Sequence, residues 1–280
     1  MNDKKIKIVA DSSGDLSSLP SVDFTSAPLK IITSEKQYVD NSELDVLEMV
    51  NDLQSYKGKS SSSCPNSEDW LAAFGDAEEI YCITITATLS GSYNAAMLAK
   101  KTYEEKYPER RVFVLNSLTA GPEIALLIYK IQELILEGNS YEDICDTVTN
   151  YCNNTALLFM LESMKNLANN GRVSPLVAKM AGLLGIRVVG KASAKGDLEP
   201  LNKCRGEKRA IEEIFTQMKS IGYKGGKVKI AHCFNENAAK QLDAMIRSEF
   251  ANAETEIYAC GGLCSFYAEK HGMLVGFEHE

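Results

Sequence analysis

Glu79-Ile80-Tyr81-Cys82-Ile83-Thr84-Ile85-Thr86-Ala87-Thr88-Leu89-Ser90-Gly91-Ser92 is the stretch on which the reading of this chain turns. The apolar and β-branched run from Glu79 to Ala87 has the pattern of a strand buried on both faces, and such strands belong to parallel sheets. A Thr/Ser/Gly turn closes it, and helical spacing then runs to about Tyr107. Outward from this strand-turn-helix unit the same alternation repeats. Ile6 to Ala10 reads as a buried strand ending in the polar turn Asp11-Ser12-Ser13-Gly14-Asp15, and Ala27 to Ile32 as a second extended segment. Glu43 to Leu53 has helical spacing with Leu44, Leu47, Val50 and Leu53 on one face. Ser60-Ser61-Ser62-Ser63-Cys64-Pro65 reads as a serine-rich loop before a helix that Asn66 or Ser67 caps, with Asp69 in its first turn. Arg111 to Leu115 is a further strand, the turn Asn116 to Pro122 opens a long apolar helix, and Ser140 with Asp143 starts the next as a capping-box-like pair.

The second half is less regular. Thr155 to Leu161 is strand-like, Asn169-Asn170-Gly171 stops a short helix, and Ser174-Pro175 is an N-cap followed by proline at the first helical position. Ile186 to Lys191 and Leu198 to Asn202 flank the hairpin-like turn Lys195-Gly196-Asp197. Helices from about Glu207 to Ser220 and Asn235 to Phe250 alternate with strands Val228 to His232 and Glu254 to Ala259. Gly261 and Gly262 argue against a helix between Cys260 and Cys264. The expected architecture is α/β, in two α/β domains: residues 1–157 with a mostly parallel sheet and residues 158–280 with a mixed sheet.

The 280 residues include 30 Lys plus Arg against 38 Asp plus Glu, so 30 − 38 = −8, with 45% hydrophobic and 24% charged. This is an ordinary globular composition, and its acidic balance argues against nucleic acid as a partner. The longest apolar stretch, Ile124 to Leu136, is interrupted by Tyr129, Lys130, Gln132 and Glu133 and is too short to span a membrane. The opening Met1 to Lys5 lacks the apolar core of a secretory signal, so a cytoplasmic protein is expected. Eight cysteines without a CxxC pair fit free thiols in a reducing compartment. His232, His271 and His279 are too scattered to suggest a metal site, and no cofactor is implied.

Ser90, Gly91 and Ser92 stand where a parallel strand hands over to a helix, a place where open α/β sheets bind ligands and where unpaired N–H groups favour a carboxylate or phosphate. The plain alternative is that Ser90 only caps its helix. A serine-hydrolase motif is absent, because the first and last glycines of GxSxG are missing and no histidine has an obvious orienting acid. The serine run around Ser62 offers neutral hydroxyl donors, or else a flexible turn. Arg172, between a glycine stop and a helix cap, can aim its guanidinium at an anion or simply cap carbonyls. Lys203, Arg205, Lys208 and Arg209 form a basic cluster that is either a solvated face or a contact for a phosphate or acidic partner. The apolar helix Ile124 to Leu136 and the run Leu157 to Leu161 read mainly as core. If some of that surface lined a tunnel, each buried methylene of an acyl chain would contribute about 0.8 kcal/mol.

Taken together the motifs resemble those of the DegV family of bacterial fatty-acid-binding proteins, which includes the acyl-carrier subunits of the fatty acid kinase system. Val9-Ala10-Asp11-Ser12-Ser13-Gly14-Asp15-Leu16 is similar to the family's opening V-x-D-S-T-x-D-L, and Ala27-Pro28-Leu29 to its next strand. Ser62-Ser63-Cys64-Pro65 stands for T-S-Q-P, Leu89-Ser90-Gly91-Ser92-Tyr93 for L-S-G-T-Y, Asn170-Gly171-Arg172-Val173-Ser174 for G-G-R-I-S, and Lys203-Cys204-Arg205-Gly206 with Lys208 for the K-x-R-x-x-K element. The resemblance implies a DegV-like fold that carries a long-chain fatty acid, of about palmitate to oleate length, between its two domains without catalysis of its own. It assigns the carboxyl group to the hydroxyls of Ser62 and Ser90, with Ser92 beside them. It places Arg172 and Arg205 at the head-group or acyl-phosphate end, and implies a separate ATP-dependent kinase subunit as a possible partner. Most kinase-linked members carry A-H-T-G-P-G where this chain has Gly262 to Gly272, which leaves Tyr267 or the displaced His271 for a third polar contact. The rival from another class is an acyl-directed hydrolase or transferase using Ser90 or a thiol such as Cys64. A third reading is a regulator that binds a non-lipid carboxylate or phosphate.

Overall fold

The computed structural model describes residues 4–179, 181 and 185–280; Met1 to Asp3, part of the opening run considered above, lie outside them. Strand β6 (Glu79–Thr84) is buried at every residue and pairs in parallel with β1 (Ile6–Asp11) and β7 (Arg111–Asn116). With β2 (Asp23–Ala27) outside β1, these strands form a four-stranded parallel sheet in the order β2-β1-β6-β7. β6 ends three residues before the expected Ala87 because the Ile85 N–H leaves the ladder and donates to the Asp11 carboxylate at 2.9 Å. Alternate side chains go to opposite faces of the sheet. Val9, Ile80, Cys82 and Val112 pack with Trp70, Phe74, Ala96 and Tyr103, from α2 (Ser67–Phe74) and α3 (Ser92–Lys106). Ile8, Ala10, Tyr81 and Ile83 pack on the other face against α4 (Pro122–Leu136) and α5 (Tyr141–Tyr151). The caps are local and follow the sequence: Asn66 and Asp69 form a capping box on α2, and Ser140 accepts from the Asp143 N–H on α5.

Long-range pairing alters two of the sequence-based expectations, and a local cap a third. The extended segment Ala27 to Ile32 is divided, because Pro28 supplies no N–H to a ladder. Lys30–Ile32 becomes β3, the centre of a small antiparallel sheet with β4 (Gln37–Val39) and β5 (Ser61–Ser63). The serine run is therefore partly a strand, with Ser62 opposite Ile31. Helix α1 (Val46–Ser55) starts at its cap, Asp45, rather than at Glu43. It buries Met49 and Val50, whereas Leu47 is 51% exposed.

A six-stranded mixed sheet forms the second half, in the order β10-β9-β8-β13-β11-β12. Its strands are β8 (Thr155–Leu161), β9 (Ile186–Ala192), β10 (Leu198–Arg205), β11 (Gly226–His232), β12 (Ala253–Ala259) and β13 (Met273–Glu278). Only β11 and β12 pair in parallel. β8 runs across the 157/158 division expected between domains, so the second sheet takes up the chain at Thr155. Helices α8 (Glu207–Ile221) and α9 (Glu236–Glu249) pack on one face of this sheet. Short helices α6 (Lys165–Asn169), α7 (Pro175–Ala178) and α10 (Gly262–Ala268) complete the half. The α10 segment contradicts the expectation that Gly261 and Gly262 exclude a helix.

Helix α4 joins the halves, touching β1 and β6 in one sheet and β8, β11 and β13 in the other. No helix among the described residues is long and apolar enough to cross a membrane. Close approach of α4 to the second sheet requires a glycine on β13: a Cβ on Gly276 would lie 2.5 Å from the Glu123 nitrogen. Gly276→Val should therefore lower unfolding stability by about 1–3 kcal/mol in urea titration. A loss below about 0.5 kcal/mol would show that α4 can retreat without consequence.

Candidate functional site

Buried acids organise the carboxyl end of the parallel sheet. Asp11, at the end of β1, accepts hydrogen bonds from the Ser13 N–H and hydroxyl, from the Ile85 N–H, and from the Ser92 hydroxyl at 2.5 Å. One carboxylate thus fixes the turn after β1, the end of β6 and the start of α3. Ser92 is fully buried in this contact and does not reach the cavity described below.

A second pair of acids holds α10. The Asp40 carboxylate accepts the Gly262 N–H at 2.6 Å and the Leu263 N–H at 2.9 Å, and Asp15 accepts the Gly261 N–H at 3.0 Å. These are N–H groups that a helix start leaves without intrahelical partners. The two glycines are what permits the contact: a Cβ on Gly262 would lie 2.7 Å from the nearer Asp40 oxygen, and one on Gly261 would lie 2.8 Å from the Asp15 oxygen. Two glycines that look like helix breakers therefore begin a helix, because acceptors more than two hundred residues away terminate it. Burial raises both acids, and with the Asp40 charge added Asp15 is pushed up to about 8.

Between the two sheets, above the carboxyl end of β6, lies a cavity of about 270 Å³. Leu157, Phe159 and Leu161, alternate residues of β8, form one wall with Leu198 and Leu274; Leu29, Ile85, Ala120 and Leu263 face them. Leu158 and Met160 point to the opposite side of β8, into the core under α8. Helix α4, read as a possible tunnel wall, contributes none of its residues to the cavity. It is spent on joining the two sheets.

The polar end collects four of the residues that the sequence singled out. Ser62 enters from β5 and Ser90 from the loop before α3; Arg172 and Tyr267 enter from the second half. Ser62 Oγ and Tyr267 Oη share a hydrogen bond of 2.6 Å in which either can donate. Ser90 Oγ accepts the Ser92 N–H at 3.3 Å, leaving its own hydrogen free. Arg172 donates through Nε to the Leu89 carbonyl and through an Nη to the Asn170 carbonyl, with its guanidinium carbon 5.8 Å from the Tyr267 ring centre. Cys64 and Cys264 also line the cavity, and burial pushes the Cys264 thiol well up.

Besides Ser92, two candidates fall elsewhere. Arg205 is exposed at the far end of β10, seven residues along the strand from Leu198, and does not line the cavity. His271 faces a separate polar groove with Gln54 and Lys270. Asp15 stands in the opening motif Val9 to Leu16, but nothing in the sequence marks it or Asp40 as an acceptor for a helix more than two hundred residues away.

Fold and site together define an α/β protein with an apolar cavity between its two larger sheets, closed at one end by hydroxyl groups and one guanidinium. The family model described as the uncharacterised DegV family matches residues 5–279, and the chain belongs to that family. A DegV domain-containing protein of Streptococcus pneumoniae is 42% identical over 276 residues, 97% of this chain and 98% of its own. Among solved structures, the Streptococcus pneumoniae Fatty Acid Kinase (Fak) B3 protein loaded with linoleic acid is 41% identical with a TM-score of 0.97, covering 99% of this chain and 100% of that one. A DegV family protein from Eubacterium eligens loaded with heptadecanoic acid is 39% identical with a TM-score of 0.96, covering 98% and 100%.

The raised Asp15 has a definite pH signature. As pH climbs above about 4 the unfolded chain releases this proton while the folded chain keeps it up to about 8. The folded protein then binds more protons than the unfolded one, so the Asp15 contribution to stability is complete at low pH and is lost progressively towards pH 8. Asp15→Asn keeps an acceptor for Gly261 and should flatten this part of the profile. Chemical denaturation between pH 5 and 9 checks it; identical slopes for the two proteins would show that Asp15 titrates normally.

Proposed function

We propose that the protein binds a long-chain fatty acid, with the carboxyl group at Ser62 and Ser90 and the acyl chain against Leu157, Phe159 and Leu161, and that it carries this ligand without transforming it. The observation that carries the reading is the make-up of the cavity: aliphatic and aromatic walls with hydroxyls and Arg172 gathered at one end. Hydroxyls hold a carboxyl group without bringing a second buried charge, and each methylene taken from water contributes about 0.8 kcal/mol. The fatty acids named for the Streptococcus pneumoniae and Eubacterium eligens relatives have this chemistry.

Carriage is favoured over acyl hydrolysis by what surrounds Ser90. Among the described residues the cavity wall holds no histidine, carboxylate or lysine to take a proton from it. The ligand lies between the two α/β domains in this reading, with Ser62 and Ser90 supplied by one and Arg172 by the other. The carboxyl end then faces a separate ATP-dependent kinase subunit, and Arg172 provides the cation for a phosphoryl group arriving there. Arg205, with Lys203, Lys208 and Arg209, serves as an exposed contact for an anionic partner rather than as a ligand of the carboxyl. Cytoplasmic residence fits the eight free thiols.

Oleate should raise the melting temperature in proportion to the logarithm of its concentration above the dissociation constant. Ser62→Ala and Ser90→Ala should each weaken a fluorescent fatty acid by about 1–3 kcal/mol in titration. An unchanged melting temperature removes the carrier reading, and wild-type affinity in both variants places the carboxyl elsewhere.

A further inference from the structure

The two serines at the polar end are not in equivalent surroundings. Ser90 Oγ accepts a backbone N–H, and among the described residues its own hydrogen has no protein acceptor. Ser62 reaches the same state only if Tyr267 is the donor in their shared 2.6 Å bond. Chemistry favours that direction: a phenol is far more acidic than an aliphatic alcohol, and the Arg172 guanidinium beside the ring stabilises charge building on a donating phenol oxygen. Donation to Ser62 also polarises the serine, making it a stronger donor in turn.

We infer that Tyr267 is a positioning residue for the head-group site: its hydroxyl donates to Ser62 Oγ and so aims the Ser62 hydrogen at the ligand carboxylate. Tyr267 comes from the last turn of α10, on the second half of the chain, and Ser62 from β5, on the first. The donor set for the carboxylate is therefore complete only when the two halves are held together as the Asp40 clamp holds them. The site then selects ligands ending in a free carboxylate over those whose end group accepts hydrogen bonds weakly, such as methyl esters. This inference rests on the fatty-acid reading given above.

Competition titrations with oleate and methyl oleate, on the wild type, Ser62→Ala, Tyr267→Phe and the double variant, test it. Tyr267→Phe should weaken oleate about three- to tenfold. It should leave methyl oleate within about twofold, a split that general loosening of the cavity would not produce. Because Tyr267 acts through Ser62, the double variant should bind oleate no more weakly than Ser62→Ala alone. Additive losses, equal losses for both ligands, or wild-type oleate affinity in Tyr267→Phe would each overturn the inference. Loss in Ser62→Ala beside an unaffected Tyr267→Phe removes this inference and leaves the fatty-acid reading in place. A wild type that binds neither ligand ends both.

Discussion

The grip of Asp40 on the first two N–H groups of α10, with Asp15 on the preceding one, is the contact on which the site depends. It ties the small antiparallel sheet and the turn after β1 to a helix near the end of the chain. Tyr267 then stands five residues beyond Gly262, within reach of Ser62. Burying two carboxyl groups side by side is unfavourable, and their upward-shifted titration expresses that cost. Oriented backbone donors offset it, and the glycines let those donors come close. Asp11 repeats the device on the other side of the cavity, gathering donors from three segments so that the loop carrying Ser90 leaves β6 in one direction.

The cavity exists because two sheets meet without closing completely. α4 fills most of the space between them with a helix buried on nearly every side, and its first turn fits against β13 only where Gly276 has no side chain. Beside that contact runs β8, paired between β9 and β13, and its alternation sends Leu158 and Met160 into a sealed core and Leu157, Phe159 and Leu161 towards the gap. A single strand therefore stabilises the second half of the chain with one face and supplies part of the cavity wall with the other.

What could be read from the sequence was what is decided locally. The buried strand from Glu79, the strand from Thr155 to Leu161, the capping box of Asn66 and Asp69, and the Lys195-Gly196-Asp197 hairpin depend on neighbouring residues, and the structure contains each. Apart from the start of α1, which its own cap Asp45 sets, the differences have another cause. Gly261 and Gly262 begin a helix because Asp40 and Asp15 are there to receive it, and Ser61 to Ser63 form a strand because β3 lies alongside. Ser92 turns from the cavity to Asp11, and Met273 to Glu278, with a glycine in its midst, becomes a central strand of the second sheet through its pairing with β8 and β11. Local spacing carries no record of partners so distant. The serines and arginine of the polar end were legible as motifs, and so were Asp11 and Asp15, but Asp40 and the distant donors that all three acids receive were not.

A crystal structure of the protein loaded with an ω-brominated fatty acid tests the central claim most directly, because the bromine marks the tail and the electron density marks the head. The account predicts the carboxyl group within hydrogen-bond distance of Ser62 Oγ and Ser90 Oγ, and the bromine peak among the apolar walls away from Arg172. A bromine peak beside the serines, or a ligand outside the cavity between the two sheets, would contradict it.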